Sequence, residues 1–236
     1  MTVRIELWDL PTRVFHWTLL GLVCTSFVTG FTGGNAMEWH GRAGIMIIGL
    51  LVFRLIWGFV GSTHARFGSF VRGPATIIDY LRGRWSGVGH NPLGALSVLG
   101  MLALLLCQAL GGLFANDDIA FKGPYFAVIS KDLSDWITGW HKRNSWVILA
   151  LIGLHLGAVL FYTHVRKDSL IKPMLTGAKE VPESLAGESA CGGSPVALVA
   201  ALALGFAASW AASGALLPAL HPTEQATPAA RPAAGW

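Results

Sequence analysis

Four of the eight histidines in this 236-residue chain lie in or beside long apolar runs: His16, His40, His141 and His155. An ionisable side chain inside a membrane-spanning segment is costly, so each is a functional candidate. His141 and His155 are 14 residues apart. At 3.6 residues per turn that is nearly four turns, so both leave one face of a helix, about 21 Å apart along its axis. Arg54 stands 14 residues after His40, and Gly30 stands 14 after His16. The same arithmetic puts each on the face of its histidine. A neutral imidazole is a ligand for transition metals, and two imidazoles from facing helices suit the iron of a b-type haem.

The elements that must carry these residues are helices in a bilayer. Apolar residues make up 53% of the chain and charged residues 13%, where a soluble domain carries about 25% charged. This composition excludes a disordered or collagen-like chain and argues against a soluble enzyme. The net charge of +4 is no nucleic-acid signature, because the basic residues flank apolar segments. Five runs approach the roughly 20 residues that span a bilayer: 14–31, 40–60, 92–114, 145–163 and 195–217. The first is too long for a signal peptide cleaved after Ala36, and it carries His16. Cys24 and Cys107 fall in these runs and read as small core residues; with Cys191 far away, no disulfide is expected.

Lysine and arginine set the orientation. The N-terminus and the connections 61–91 and 165–194 hold ten of them, and the other connections with the tail hold six. The N-terminus is therefore expected in the cytoplasm and the C-terminus in the periplasm. Helix direction then sorts the histidines by depth. His16 and His155 fall near the inner side, and His40 and His141 near the outer side. Two pairs at two depths are what two bis-His b-type haems require. Zinc or copper would need its ligands in one coordination sphere, and these pairs lie most of a leaflet apart. Arg54 falls at the depth of the inner pair, where it either meets a haem propionate or snorkels to the interface. Gly30 falls at the depth of the outer pair, where it either leaves room for a porphyrin or packs against a helix. His64 reads as a solvated loop residue or a proton-handling group, His164 as interfacial and His221 as an inert tail residue.

Between the spans, 73–81 reads as a short helix on the inner leaflet. The outer connection 115–140 carries Asp117, Asp118, Asp132 and Asp135 among aromatic residues.

The stretches RVFHW (13–17), WHGRAG (39–44), FRLIWGFVGSTHARF (53–67) and GHNPLGALSVL (89–99), with the helix of His141 and His155, resemble the prokaryotic cytochrome b-561 group. That group includes the b-type cytochrome subunits of membrane-bound nickel-iron hydrogenases. The resemblance covers roughly residues 3–179. It implies an all-α integral membrane protein, a four-helix bundle holding two non-covalent haems b. It also implies His16, His40, His141 and His155 as axial ligands. Arg13, in the same RVFHW stretch as His16, joins Arg54 and Gly30 among the cofactor-binding residues.

The expected domains are a dihaem cytochrome unit (1–179), a cytoplasmic linker (180–194), a fifth transmembrane helix (195–217) and a flexible tail (218–236). The four-helix core does not require the fifth helix. Ala197, Ala201, Gly205, Ser209 and Ser213 repeat along it every fourth residue, a small-residue stripe suited to helix association with the chain's own core, a second copy or a partner. The expected function is electron transfer across a bacterial inner membrane, between quinone and an extracytoplasmic redox partner such as a c-type cytochrome or a hydrogenase-like subunit. The outer acidic loop is the expected docking surface. No residue is assigned a catalytic role, since bis-His ligation leaves no open iron position. The alternatives are a stand-alone superoxide:quinone oxidoreductase and a haem-free transporter.

Overall fold

The protein is represented by a computed structural model that describes residues 1–85 and 87–217. The expected tail, with His221 and Arg231, lies outside the described residues. Strand β1 (Thr2–Glu6) leads into α1 (Leu10–Thr32), and a 3-10 turn joins α1 to α2 (Met37–Val60). Two short helices follow, α3 (Phe67–Phe70) and α4 (Pro74–Leu81), then α5 (Pro92–Gly112) and α6 (Lys131–His164). The chain continues through α7 (Ile171–Thr176), strand β2 (Ala178–Pro182) and α8 (Pro195–Trp210). Among the described residues, five helices are long and apolar enough to cross a membrane. The protein is an all-α membrane protein of the expected class.

Local sequence explains where these helices start. Asn91 and Ser194 each precede a proline, and each side-chain oxygen accepts an N–H two residues past it, from Gly94 (2.7 Å) and Ala197 (3.2 Å). Proline at the first helical position gives up an N–H that has no helical partner anyway. Asp9 caps α1 by accepting from Thr12 N–H at 2.8 Å. The apolar run 145–163 marks only the later part of α6, which begins at Lys131. Its first turns, KDLSDWITGWHKRN, are too polar for a hydropathy window. Ser130 nevertheless caps them, accepting from Leu133 N–H at 3.3 Å. The 34-residue helix is about 51 Å long, so it overshoots a hydrocarbon core of about 30 Å.

Helix α2 is the hub. Half of its most apolar stretch is buried by protein, against 6% for α6. It packs against α1, α5 and α8, and α5 packs against α6. Leu51, Phe53 and Trp57 anchor this core. The dominant partner of α2 is the fifth helix, so the small-residue stripe is spent inside the chain. Ala201 is fully buried and Gly205 buried. A Cβ on Gly205 would lie 2.8 Å from the Gly49 carbonyl oxygen, and one on Gly49 would lie 2.7 Å from that of Gly205. Ser209 Oγ also donates to Ile45 O at 3.1 Å. The four-residue interval breaks at a π-helical turn, Ala211–Ala215. There Ala212 is buried, and Ser213 is exposed and bonded back to Trp210 O. Cys24 and Cys107 are exposed rather than in the core; a thiol is apolar enough to face lipid.

A cap that the sequence does not announce closes the end of the bundle that holds the N-terminus, hereafter the inner end, the opposite one being the outer. β1 pairs antiparallel with β2, Thr2 opposite Pro182 and Glu6 opposite Ala178. Leu7 and Trp8 N–H both donate to Gly177 O, at 2.7 and 3.0 Å. Gly177 has φ +85°, and a Cβ there would lie 3.0 Å from Trp8 O. Thr63 N–H donates to Cys191 O at 2.8 Å, and Ala190 N–H to Glu6 O at 2.7 Å. The N-terminus and the connections after α2 and α6 thus meet at one end of the bundle.

Replacing Gly205 with Leu forces a side chain into the α2–α8 contact. Overpacking of this kind costs about 1–3 kcal/mol. The thermal midpoint of the detergent-solubilised protein should fall, while Ala203→Leu on the exposed face of α8 should leave it in place. Equal midpoints for the two variants would show that α8 is not held by this seam.

Candidate functional site

The bundle brings His40 of α2 and His141 of α6 together at the outer end, with ring centroids 6.0 Å apart and planes at 75°. Metal–imidazole bonds are about 2.0–2.1 Å, so this separation accommodates one metal atom between two imidazoles. Both rings are held from behind in the same way. His40 Nδ1 donates to Ser26 O at 2.9 Å, and His141 Nδ1 donates to Gln108 O at 3.0 Å. A carbonyl only accepts, so both rings carry the proton on Nδ1 and keep the Nε2 lone pair free. That is the tautomer a metal-binding histidine needs.

A helix normally hides its carbonyls, because the oxygen of residue i is bonded to the N–H of residue i+4 and shielded by the side chains around it. Four residues after Ser26 stands Gly30, and four after Gln108 stands Gly112. A Cβ on Gly30 would lie 3.1 Å from the His40 ring, and one on Gly112 would lie 3.3 Å from the His141 ring. Each glycine opens a seat for an imidazole over the carbonyl one turn back. The space at Gly30 is therefore taken by the His40 ring itself, not directly by a flat cofactor. Gly112 does the same for His141, and sequence reasoning missed it. A polar clasp joins α5 to α6 beside this seat: Asn144 Nδ2 donates to Gln108 Oε1 at 2.9 Å, and Gln108 Nε2 to His141 O at 3.1 Å. A cavity of about 430 Å³ opens in front of both rings, walled by Phe31, Phe121, Trp146 and Ile148. That lies in the range of cofactor pockets.

At the inner end His16 of α1 lies within electrostatic reach of His155 of α6. Both are half-buried. This level is rich in buried polar atoms that have no protein partner, among them Thr12 Oγ1, Arg13 Nε, His16 Nδ1, Arg54 Nη1 and His90 Nδ1. Buried polar atoms are normally bonded, so a group of them marks a place where something else binds. Arg54 is 3% exposed, which excludes snorkelling. Its guanidinium lies 4.9 Å over the Phe67 ring, and no carboxylate of the described residues pairs with it. Asp9 acts on it from a distance, but that carboxylate already accepts from Thr12 N–H and from Trp57 Nε1 (2.9 Å). Burial pushes the Asp9 carboxyl up, and the Thr12, Ser62 and Trp57 donors together outweigh it and hold it below the usual range. Arg13 Nη1 donates to Leu175 O at 2.6 Å, which leaves its Nε free.

His64, read from sequence as a loop residue, and His90 beside it are both built in. His64 is buried, with Nε2 donating to Glu188 O at 2.6 Å. His90 is wedged between Trp8 and Phe70, at centroid distances of 4.7 and 4.5 Å. His164 is exposed, as an interfacial residue should be. Among the described residues no three metal-ligating side chains converge; the histidines come in twos. The outer pair, with its apolar walls, leaves room for a planar metal-centred group, and the inner level holds the unpartnered arginine nitrogens.

The outer connection is less acidic toward a partner than its composition suggests. Asp117 accepts from the N–H groups of Ile119, Ala120 and Phe121 at 2.8–2.9 Å. Asp118 and Asp135 both pair with Lys131. Asn116, Asp117 and Phe121 also line the outer cavity, so the loop is a lid, and three of its four aspartates are spent on its own fold. Arg42 is paired with Glu38.

A family model described as prokaryotic cytochrome b561 matches residues 7–177. The chain is similar to a probable Ni/Fe-hydrogenase B-type cytochrome subunit of Rhizobium leguminosarum bv. viciae, with 25% identity over 211 residues, 74% of this chain and 88% of the relative. A probable Ni/Fe-hydrogenase 1 B-type cytochrome subunit of Escherichia coli (strain K12) is 22% identical, over 72% of this chain and 88% of its own. A protein of Azotobacter chroococcum mcd 1, also named a probable Ni/Fe-hydrogenase B-type cytochrome subunit, is 27% identical over 73% of this chain and 87% of its own. No solved structure matches. The family match ends before α8.

The lid supplies a pH test. The Ile119, Phe121 and Ala120 N–H groups hold the Asp117 carboxyl below its usual 3.8. A carboxylate whose pKa is depressed on folding contributes stability that is present above the unfolded pKa and lost as pH falls through the folded one. Hydrogen-exchange protection of residues 117–122, corrected for intrinsic exchange, should therefore hold at pH 5 and collapse below about 4. Asp117→Ala should remove the protection at every pH. Protection unchanged in that variant would mean the turn stands without its carboxylate.

Proposed function

The chain belongs to the prokaryotic cytochrome b561 family, and from that premise we propose that it carries electrons across a bacterial inner membrane through two b-type haems. The carrying observation is the outer pair, two imidazoles each fixed by a backbone carbonyl with its second nitrogen turned to a shared apolar cavity. His40 and His141 would hold one haem, and His16 and His155 the other. When bound, haem supplies a one-electron change at its iron without bond making. The protein's part is to hold both levels in register, exclude water and balance charge. α2 and α6 each contribute to both levels, so one rigid frame fixes the distance between them. Arg54 and Arg13 would meet the propionates at the inner level, and the β1–β2 cap would shield them from water.

The proposed electron route joins membrane quinone to a redox protein at the outer face. The relatives' names make a hydrogenase-like subunit the leading partner class, with a c-type cytochrome second. The excess of lysine and arginine on the side of the N-terminus supports a cytoplasmic position for the β1–β2 cap. Partner docking would rest on exposed apolar groups of the outer end, such as Trp39, Ile119 and Trp136, more than on charge. The self-paired aspartates give steering little support, and of the outer cations Arg42 and Lys131 are drawn into ion pairs.

Haem content of purified variants tests the assignment. Wild-type protein should carry two haems b per chain by pyridine haemochrome. His40→Ala and His141→Ala should each lose the outer haem, and His16→Ala and His155→Ala the inner one. Gly112→Leu should mimic His141→Ala by filling the seat behind its ring. Two haems retained in all of these variants would contradict the ligand assignment.

A further inference from the structure

His90 belongs to neither histidine pair. It precedes α5 by two residues, in a connection where a solvated histidine is the ordinary expectation. The structure instead inserts its ring between Trp8 of the cap and Phe70 of α3. Nδ1 is buried and has no partner. Arg54, His64 and His155 are all within electrostatic reach of it.

This arrangement is unfavourable as protein alone. An imidazole nitrogen of His90 and a guanidinium nitrogen of Arg54 are buried without a partner, and the nearby carboxylate of Asp9 is already engaged. An unpaired buried donor costs about 1–3 kcal/mol, more when charged. Neighbouring donors without acceptors are relieved by a single anion, and a carboxylate has lone pairs enough for both. Burial first, then the Arg54 charge, push His90 down to about 3. The ring is thus neutral and offers one N–H, not a second cation.

We propose that His90 is a positioning residue that donates Nδ1–H to a carboxylate of the inner haem, beside Arg54. This rests on the two-haem reading above. His90 and Arg54 form a two-pronged seat, one prong charged and one neutral. Trp8 and Phe70 hold the neutral prong in orientation, and that ties the N-terminal cap to the field at the inner haem. A donor that partly neutralises a propionate makes the ferric state less favoured, so His90 raises the inner-haem potential.

Redox titration of the holoprotein tests this, with haem content measured alongside. His90→Phe keeps an aromatic ring between Trp8 and Phe70 but removes the donor. His90→Asn places an amide N–H near the position of Nδ1, and His90→Gln places it near that of Nε2. The expected result is a lower potential for one haem in His90→Phe and His90→Gln, an unmoved second haem, and recovery in His90→Asn. Where His90→Phe does not assemble, the comparison of Asn with Gln carries the test. An inner potential unmoved by Phe and Gln, or lowered equally by Asn and Gln, would overturn the role of His90 alone. A wild-type protein without an inner haem would overturn the proposed function with it.

Discussion

A hydrogen bond to one nitrogen of an imidazole fixes its tautomer and turns the other nitrogen toward a metal. The outer level supplies that bond with backbone alone. Ser26 and Gln108 supply the carbonyls, and Gly30 and Gly112 clear the way to them. Side-chain seconds to a ligand are themselves polar and must be solvated or paired. A helix carbonyl is fixed, already buried and needs no such support. The device commits two glycines, one on each of two helices, where a side chain would occupy the ring's place.

The same economy shapes the frame. α2 carries His40 near one end and Arg54 toward the other, and it is the most buried of the long helices. α8 lies along its far side through Gly49, Ala201 and Gly205. The helix that the family match leaves out is therefore a brace for the helix that serves both levels. The inner level is built on the opposite plan from the outer one. Its donors are arginine and histidine side chains, left unpartnered by protein and enclosed by the cap. A neutral, backbone-lined outer level and a cationic inner level would give the two proposed haems different fields, which is the usual means of setting two potentials apart.

Much of this was legible in the sequence, and the limits have physical causes. Asn91-Pro92 and Ser194-Pro195 mark helix starts because proline and the capping side chain act locally. The depth sorting of four histidines follows from helix direction alone. The outer extension of α6 escapes because hydropathy records lipid preference, not helicity, and Ser130 begins that helix in polar sequence. The β1–β2 pairing escapes because its strands lie at opposite ends of the family-matched region and each is only five residues long. Gly112 could have been found by the signal that singled out Gly30, a glycine level with a histidine of the neighbouring helix. His90 could not, since its burial depends on Trp8 arriving from the N-terminus. The pairing within the acidic loop escapes because composition counts charges without saying which of them, as with Asp117 and Lys131, are spent on neighbours.

Low-temperature electron paramagnetic resonance of the oxidised protein tests the central claim most directly. Two irons, each held between two imidazoles, predict two low-spin ferric signals of equal integrated intensity and no high-spin ferric signal. A single low-spin signal, or a high-spin signal of comparable intensity, would mean that at least one of the histidine pairs does not hold a haem from both sides.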